Sequence, residues 1–244
     1  MKFVYLSILL LALSCGAPKE KSTNVETNTE TPTENNVKEE PKNQLLVVLN
    51  NPKSLNDVKA LVTNSGLKWK DMLLDNGASK IAVIEIPDGK LQEWTERLNN
   101  SREFRSIDVH TNANAEKLII REKNTLVSIR KTPCMGDCPT YSVYIDKEGN
   151  VSYEGKEFVL EKGSKEFKLS EKELSTINSL LNKKSFSSYK DVYDNPRIMD
   201  LPSTYLVHDE KQVQVRLWND DVPEELMELN EYIEGILLEK KYFE

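Results

Sequence analysis

Cys134 and Cys138 have three residues between them within the run Arg130-Lys131-Thr132-Pro133-Cys134-Met135-Gly136-Asp137-Cys138-Pro139-Thr140-Tyr141, and they are the most chemically distinctive pair in the chain. Four states are open to them. Oxidation would give a bridge, because Pro133, Gly136 and Pro139 favour a tight turn that can bring the Cα atoms to roughly 4.4–6.8 Å. A dithiol redox centre more often has two residues between its cysteines, at a helix N-terminus, and Asp137 would disfavour a thiolate here. A soft metal could take both sulfurs with His208, aided by Met135. Two free thiols complete the set. The expected state is the bridge; closing so short a loop is worth only about 2 kcal/mol, so its work is to shape one loop.

Other chemistry has less material. The two histidines, His110 and His208, each fall at a strand end, and neither a Gly-x-Ser-x-Gly elbow nor a phosphate-cradling glycine loop occurs. Asp220-Asp221 and Glu224-Glu225 flank the start of the last helix, where the helix dipole alone accounts for carboxylates. The long irregular stretch from Phe186 to Ser203 carries Tyr189, Asp191, Tyr193, Asp194, Arg197 and Asp200. Loops of that length in compact domains tend to be functional. The expectation is a ligand- or partner-binding surface made by this stretch and the cysteine loop, with Arg130, Tyr141, Tyr189, Tyr193, Asp194 and Asp200 as its residues. The plainer alternative is a loop packed by its own tyrosines. No catalytic residue, metal or cofactor is expected.

The elements that must position these residues fall into two groups. Over residues 44–112, a continuous apolar strand (Leu45 to Leu49) precedes a helix opening at Ser54, with Asp57 in a capping-box-like position and Gly66 as its stop. Leu67 to Lys70 alternates as a strand, Asp75-Asn76-Gly77 reads as a positive-φ hairpin turn, and Lys80 to Ile86 returns. Leu91, Trp94 and Leu98 mark a second helix before a last strand, Phe104 to Val109. That βαββαβ order predicts a ferredoxin-like module. Over residues 120–244, strands at Thr125–Arg130, Tyr141–Ile145 and Val151–Tyr153 are followed by a hairpin pairing Phe158–Leu160 with Phe167–Leu169. Ser170 and Glu173 form a capping box for a helix faced by Leu174, Ile177, Leu180 and Leu181. A hairpin of Tyr205–Val207 with Val213–Trp218 precedes a final helix with Pro223 in its first turn. The class is α+β: a ferredoxin-like module, then a mostly antiparallel sheet with two helices.

Two resemblances attach to these modules. Arg130, Pro133, Cys134, Gly136, Cys138, Pro139 and Tyr141 match the signature R-x-x-P-C-x-G-x-C-P-x-Y of a bacterial domain of unknown function common in lipoproteins, and Tyr193 and Asp200-Leu201-Pro202 resemble its later positions. That family brings no established activity. Residues 44–112 resemble the propeptide family of subtilisin-like proteases, which implies a protease as partner and inhibition or chaperoning through an extension at His110–Ala115; the plainer alternative, and the favoured one, is a βαββαβ module that serves as a spacer or protein-docking surface.

The N-terminus supplies the expected address. Lys2 and the apolar Phe3–Leu13 are too short to span a bilayer core of about 30 Å, and Ala12-Leu13-Ser14-Cys15-Gly16 resembles a lipobox, with Ala12 where leucine is usual. Residues 1–14 read as a lipoprotein signal, Cys15 as the lipidated residue, and 15–43 as a polar, disordered tether. Lys19-Glu20 resembles the export signals of some Gram-negative surface lipoproteins. The expected location is the cell envelope, on the outer membrane facing periplasm or cell surface, with the lipid holding the membrane and an envelope protein as partner. The net charge of −7, from 33 Lys+Arg against 40 Asp+Glu, argues against a nucleic-acid partner. The leading function is a non-catalytic binding module; the alternatives are a protease inhibitor or chaperone, and an envelope hydrolase or thiol-redox protein.

Overall fold

The computed structural model describes residues 41–243; the signal, Cys15 and most of the expected tether lie outside them. Gln44–Leu49 forms β1, Leu55–Asn64 α1, Lys68–Asp75 β2, Lys80–Glu85 β3, Leu91–Asn100 α2 and Phe104–Val109 β4. The strands assemble as β2-β3-β1-β4, all antiparallel, the order of a split βαβ unit. Leu45, Val47 and Leu49 face Val58, Val62 and Leu98 of the two helices.

The other face of this sheet is covered too, by a helix the sequence reading lacked. Asn112–Asn124 is α3, capped by the Thr111 hydroxyl, which accepts from the Asn114 amide at 3.1 Å. Ala115 and Leu118 pack on Leu46, Val48, Ile81 and Val83. The unbroken apolar run in β1 is the mark of a strand buried on both faces. This corrects the extension expected at His110–Ala115: from Asn112 the segment is helical, and its apolar side closes the sheet. No linker follows, because α3 runs straight into Thr125–Lys131, β5.

The second sheet continues with β6 (Thr140–Asp146), β7 (Asn150–Glu157), β8 (Gly163–Lys168), then α4 (Glu171–Leu181), β9 (Val192–Tyr193), β10 (Thr204–His208), β11 (Lys211–Val215) and α5 (Glu224–Glu239). Its order is β8-β7-β6-β5-β10-β11-β9, with only the β11–β9 pair parallel among the described strands. Val127 and Ile129 of β5, Tyr141 and Val143 of β6, Leu206 of β10 and Val213 of β11 bury one face beneath Ile177, Leu226, Leu229 and Ile233 of α4 and α5. Each such side chain is worth roughly 1.5–3 kcal/mol when fully buried. The predicted capping box of α4 is present: Glu173 N donates to Ser170 Oγ, and Ser170 N to Glu173 Oε2 at 2.6 Å.

Three local expectations need correction. Ser54 makes no capping bond to α1; its hydroxyl donates to the Asn51 carbonyl at 2.9 Å, inside a short 3-10 turn over Pro52–Ser54. Phe158–Leu160 is not a strand: Phe158 turns the chain at φ 51°, and β8 pairs back on β7 with Gly155 opposite Gly163. The β2–β3 turn exists, but without positive φ at Asn76 or Gly77. Asn76 Oδ1 accepts from the amides of Ala78 and Ser79 at 3.1 and 2.7 Å. Gly77 is needed for close approach, since a Cβ there would overlap the Glu210 carbonyl oxygen in the β10–β11 turn. That turn brings the first sheet against the second, and the described residues, 41–243, fall in one compact unit.

Candidate functional site

Strand alternation gives β5 two characters. Val127 and Ile129 point to the helices, so Ser128 and Arg130 point to the opposite face, which the first module meets. Arg130 donates to Asn50 Oδ1 at 2.6 Å, its guanidinium lies over the Tyr205 ring at 4.0 Å, and Gln212 Nε2 reaches the Asn50 carbonyl at 3.3 Å. Lys53 pairs with Asp191, and Arg121 stacks on Tyr144 at 4.4 Å.

Beside these contacts the two sheets leave a cleft of about 730 Å³, within the range of small-molecule sites. From the first module it is lined by Asn50, Arg102, Phe104 and Arg105, and from the second by Arg130, Ser142, Tyr205 and Gln214. The cysteine loop contributes Cys134 and Met135, and the long loop contributes Asp200, Leu201 and Ser203. Cys134 and Cys138 form the expected disulfide, with Cα atoms 5.8 Å apart. The two loops are held together at their roots: Ser203 N donates to Thr132 Oγ1 at 2.8 Å, and Gln214 Nε2 to Ser203 Oγ at 2.8 Å. Asp200 takes a left-handed φ of 64° at the edge of the cleft.

Charge in the cleft sorts into two kinds. Arg105 is neutralised by Glu122 at 2.6 Å, Lys131 by Glu234, and Arg216 by Asp194 at 2.9 Å. Arg102, Arg130 and Lys156 pair with no carboxylate among the described residues. Burial, and then repulsion from Arg105, lower the Arg130 pKa to about 10, against the pull of the Tyr205 and Tyr144 hydroxyls and a hydrogen bond with Tyr205. Two exposed carboxylates, Glu157 and Asp200, also line the cleft.

The residues expected to form a binding surface therefore divide. Arg130 and Asp200 reach the cleft, as does the cysteine loop. Tyr141 does not: it is 1% exposed under α5, its hydroxyl donates to Glu234 Oε1 at 2.7 Å, and burial drives its pKa far up. Tyr189 and Tyr193 are buried in the same core, Tyr189 edge-on to Phe186 and Tyr193 accepting from the Lys190 amide at 3.1 Å. For Tyr189 and Tyr193 the plainer alternative, a stretch packed by its own tyrosines, is what the fold uses. Asp194 acts at one remove, holding Arg216. His208 lies outside the cleft with Nδ1 2.7 Å from the Leu126 carbonyl oxygen, and His110 Nδ1 sits 2.8 Å from Gln44 Oε1. No group of three His, Cys, Asp or Glu able to hold a metal occurs among the described residues. Asn50, Arg102, Arg105 and Lys156 were not legible as site residues, since they meet only through docking of the two modules.

No helix among the described residues is long and apolar enough to cross a membrane. No curated protein and no solved structure matches the chain. Residues 125–237, from the start of β5 to near the end of α5, match the family model described as a domain of unknown function, DUF6438.

Proposed function

We propose that this protein is a non-catalytic binding module of the bacterial cell envelope, anchored through lipid on Cys15, with the cleft between its two sheets as the binding surface. The observation that carries the reading is convergence. The cysteine loop, the Asp200–Ser203 segment and the first module's Asn50 and Arg102 meet around one hollow, though they are scattered along the chain. Exposed Met135 in the cleft wall, and exposed Met199, which precedes the cleft-lining Asp200 in the chain, supply the adaptable apolar contacts common at binding surfaces.

The test is photo-crosslinking in the native envelope from positions 135 and 199, with position 172 on α4 as the control. Adducts of the same mass from both rim positions, and none from 172, support the reading. Adducts spread equally over all three positions, or none at 135 and 199, count against it.

A further inference from the structure

We infer that the cleft's ligand is a small molecule carrying a carboxylate or phosphate group, and that this oxyanion docks on Arg130; this deepens the binding reading above and rests on it. The inference begins with unequal treatment of neighbouring cations. The fold supplies a carboxylate to Arg105, Lys131 and Arg216, and none to Arg130, which is the most enclosed of the cations left unpaired. A cation taken from water without a counter-charge is costly. Yet Arg130 is rigidly aimed: Asn50 holds one guanidinium nitrogen at 2.6 Å and Tyr205 fixes the plane at 4.0 Å. A planar fork immobilised this way, with no carboxylate on any of its donors, suits the two oxygens of a carboxylate or phosphate.

The surroundings fit the same occupant. Ser142, Ser203 and Gln214 offer neutral hydrogen-bonding groups, while Arg102 and Lys156 add positive potential at the more exposed wall. Glu157 and Asp200 oppose them, but both are solvent-exposed, where water and salt screen charge. Phe104, Leu201 and Met135 provide apolar wall for a ligand body beyond its charged end. The ligand is thus an amphiphilic anion with its charge innermost.

The test uses the full chain with Cys15→Ser, to keep it in aqueous solution, titrated by NMR with inorganic phosphate, benzoate and the neutral isostere benzamide. Benzoate and phosphate should shift the Arg130 Nε–H and the Ser203 amide saturably, with affinity falling between 50 and 300 mM salt. Benzamide should bind about tenfold more weakly or worse, the discrimination expected of a charge-assisted pair. Arg130→Gln should cut benzoate affinity about tenfold or more, and Arg102→Gln and Lys156→Gln about two- to fivefold each, with Lys172→Gln unchanged. Should Arg130→Gln not fold, the other two substitutions carry the test. Benzamide binding as tightly as benzoate, or benzoate affinity unmoved by the cleft substitutions, overturns the anion inference while the cleft remains a binding site. Absence of any saturable shift from all three probes also overturns it, and the binding reading falls with it only if crosslinking from 135 and 199 fails as well. Phosphate but not benzoate binding assigns the group as phosphate, and the reverse assigns it as carboxylate; either supports the inference.

Discussion

Arg105 and Arg130 stand close together where the two sheets meet, and the fold treats them in opposite ways. Arg105 is closed off: its side chain is 5% exposed, Glu122 at 6% pairs with it, and Ser79 Oγ accepts from it at 3.0 Å. Glu122 also takes Arg121, whose plane covers Tyr144 of the second sheet. Arg130 is positioned just as firmly but by an amide and an aromatic ring, and faces open space. A buried ion pair acts as a joint, even though the Nε atoms of Arg105 and Arg121 find no partner; on the proposal above, a positioned cation lacking its counter-charge acts as a receptor. On that proposal, one side of the junction holds and the other binds.

The largest effect should come from breaking the closed side. Glu122→Gln leaves two arginines without their carboxylate and should cost about 3–5 kcal/mol in urea unfolding. The same residue gives the comparison a pH signature. Burial, the largest influence, pushes the Glu122 pKa up, but Arg105, Arg121 and a hydrogen bond with Ser79 together outweigh it and hold it below its ordinary 4.5. Its contribution is therefore present above the unfolded-state value and is lost as pH falls through the lower folded-state value. The wild-type stability curve should steepen in that acid window, and the Glu122→Gln curve should be flatter there. Acid curves of equal slope would remove Glu122 from the joint.

The next effect tests whether docking of the two modules makes the cleft. Gly77→Ala forces the β2–β3 turn off the Glu210 carbonyl and should cost about 1–3 kcal/mol, as overpacking does. It should also weaken benzoate binding, though residue 77 lines no part of the cleft. Stability lost with affinity intact would show that the cleft does not depend on that contact. On the open side, replacing Cys134 and Cys138 together by serine should cost no more than about 2 kcal/mol. Its larger consequence should be in binding, because the bridge shapes a wall of the cleft and not the core. A loss in melting without a change in affinity would reverse that assignment.

How much of this was legible in the sequence depends on whether the signal was local. Ser170 with Glu173 is three residues of information and marked α4 correctly. The Leu45–Leu49 run marked a buried strand but not what covers its second face: α3 buries only Ala115 and Leu118, with Ile119 partly covered and Ile120 left exposed, so its apolar stripe is weak. Asp75-Asn76-Gly77 announced its turn for the wrong reason: the glycine serves contact with Glu210, 133 positions away in the chain, and not a positive φ. The tyrosines of the long loop misled because an aromatic side chain with a polar tip suits a core as well as a surface. Arg130 was found through its motif, yet what distinguishes it, the missing carboxylate, is a property of space and has no trace in the order of residues.

The smallest predicted effect tests the central claim most directly. Because the fold disfavours the Arg130 charge, removing it should cost little: Arg130→Met in the ligand-free protein should unfold in urea within about 1 kcal/mol of wild type, or at higher denaturant, since a hydrophobic replacement of a poorly compensated buried charge is often neutral or stabilising. A loss of about 3 kcal/mol or more, comparable to that of Glu122→Gln, would place Arg130 in the joint and contradict the account of an open, ligand-binding side.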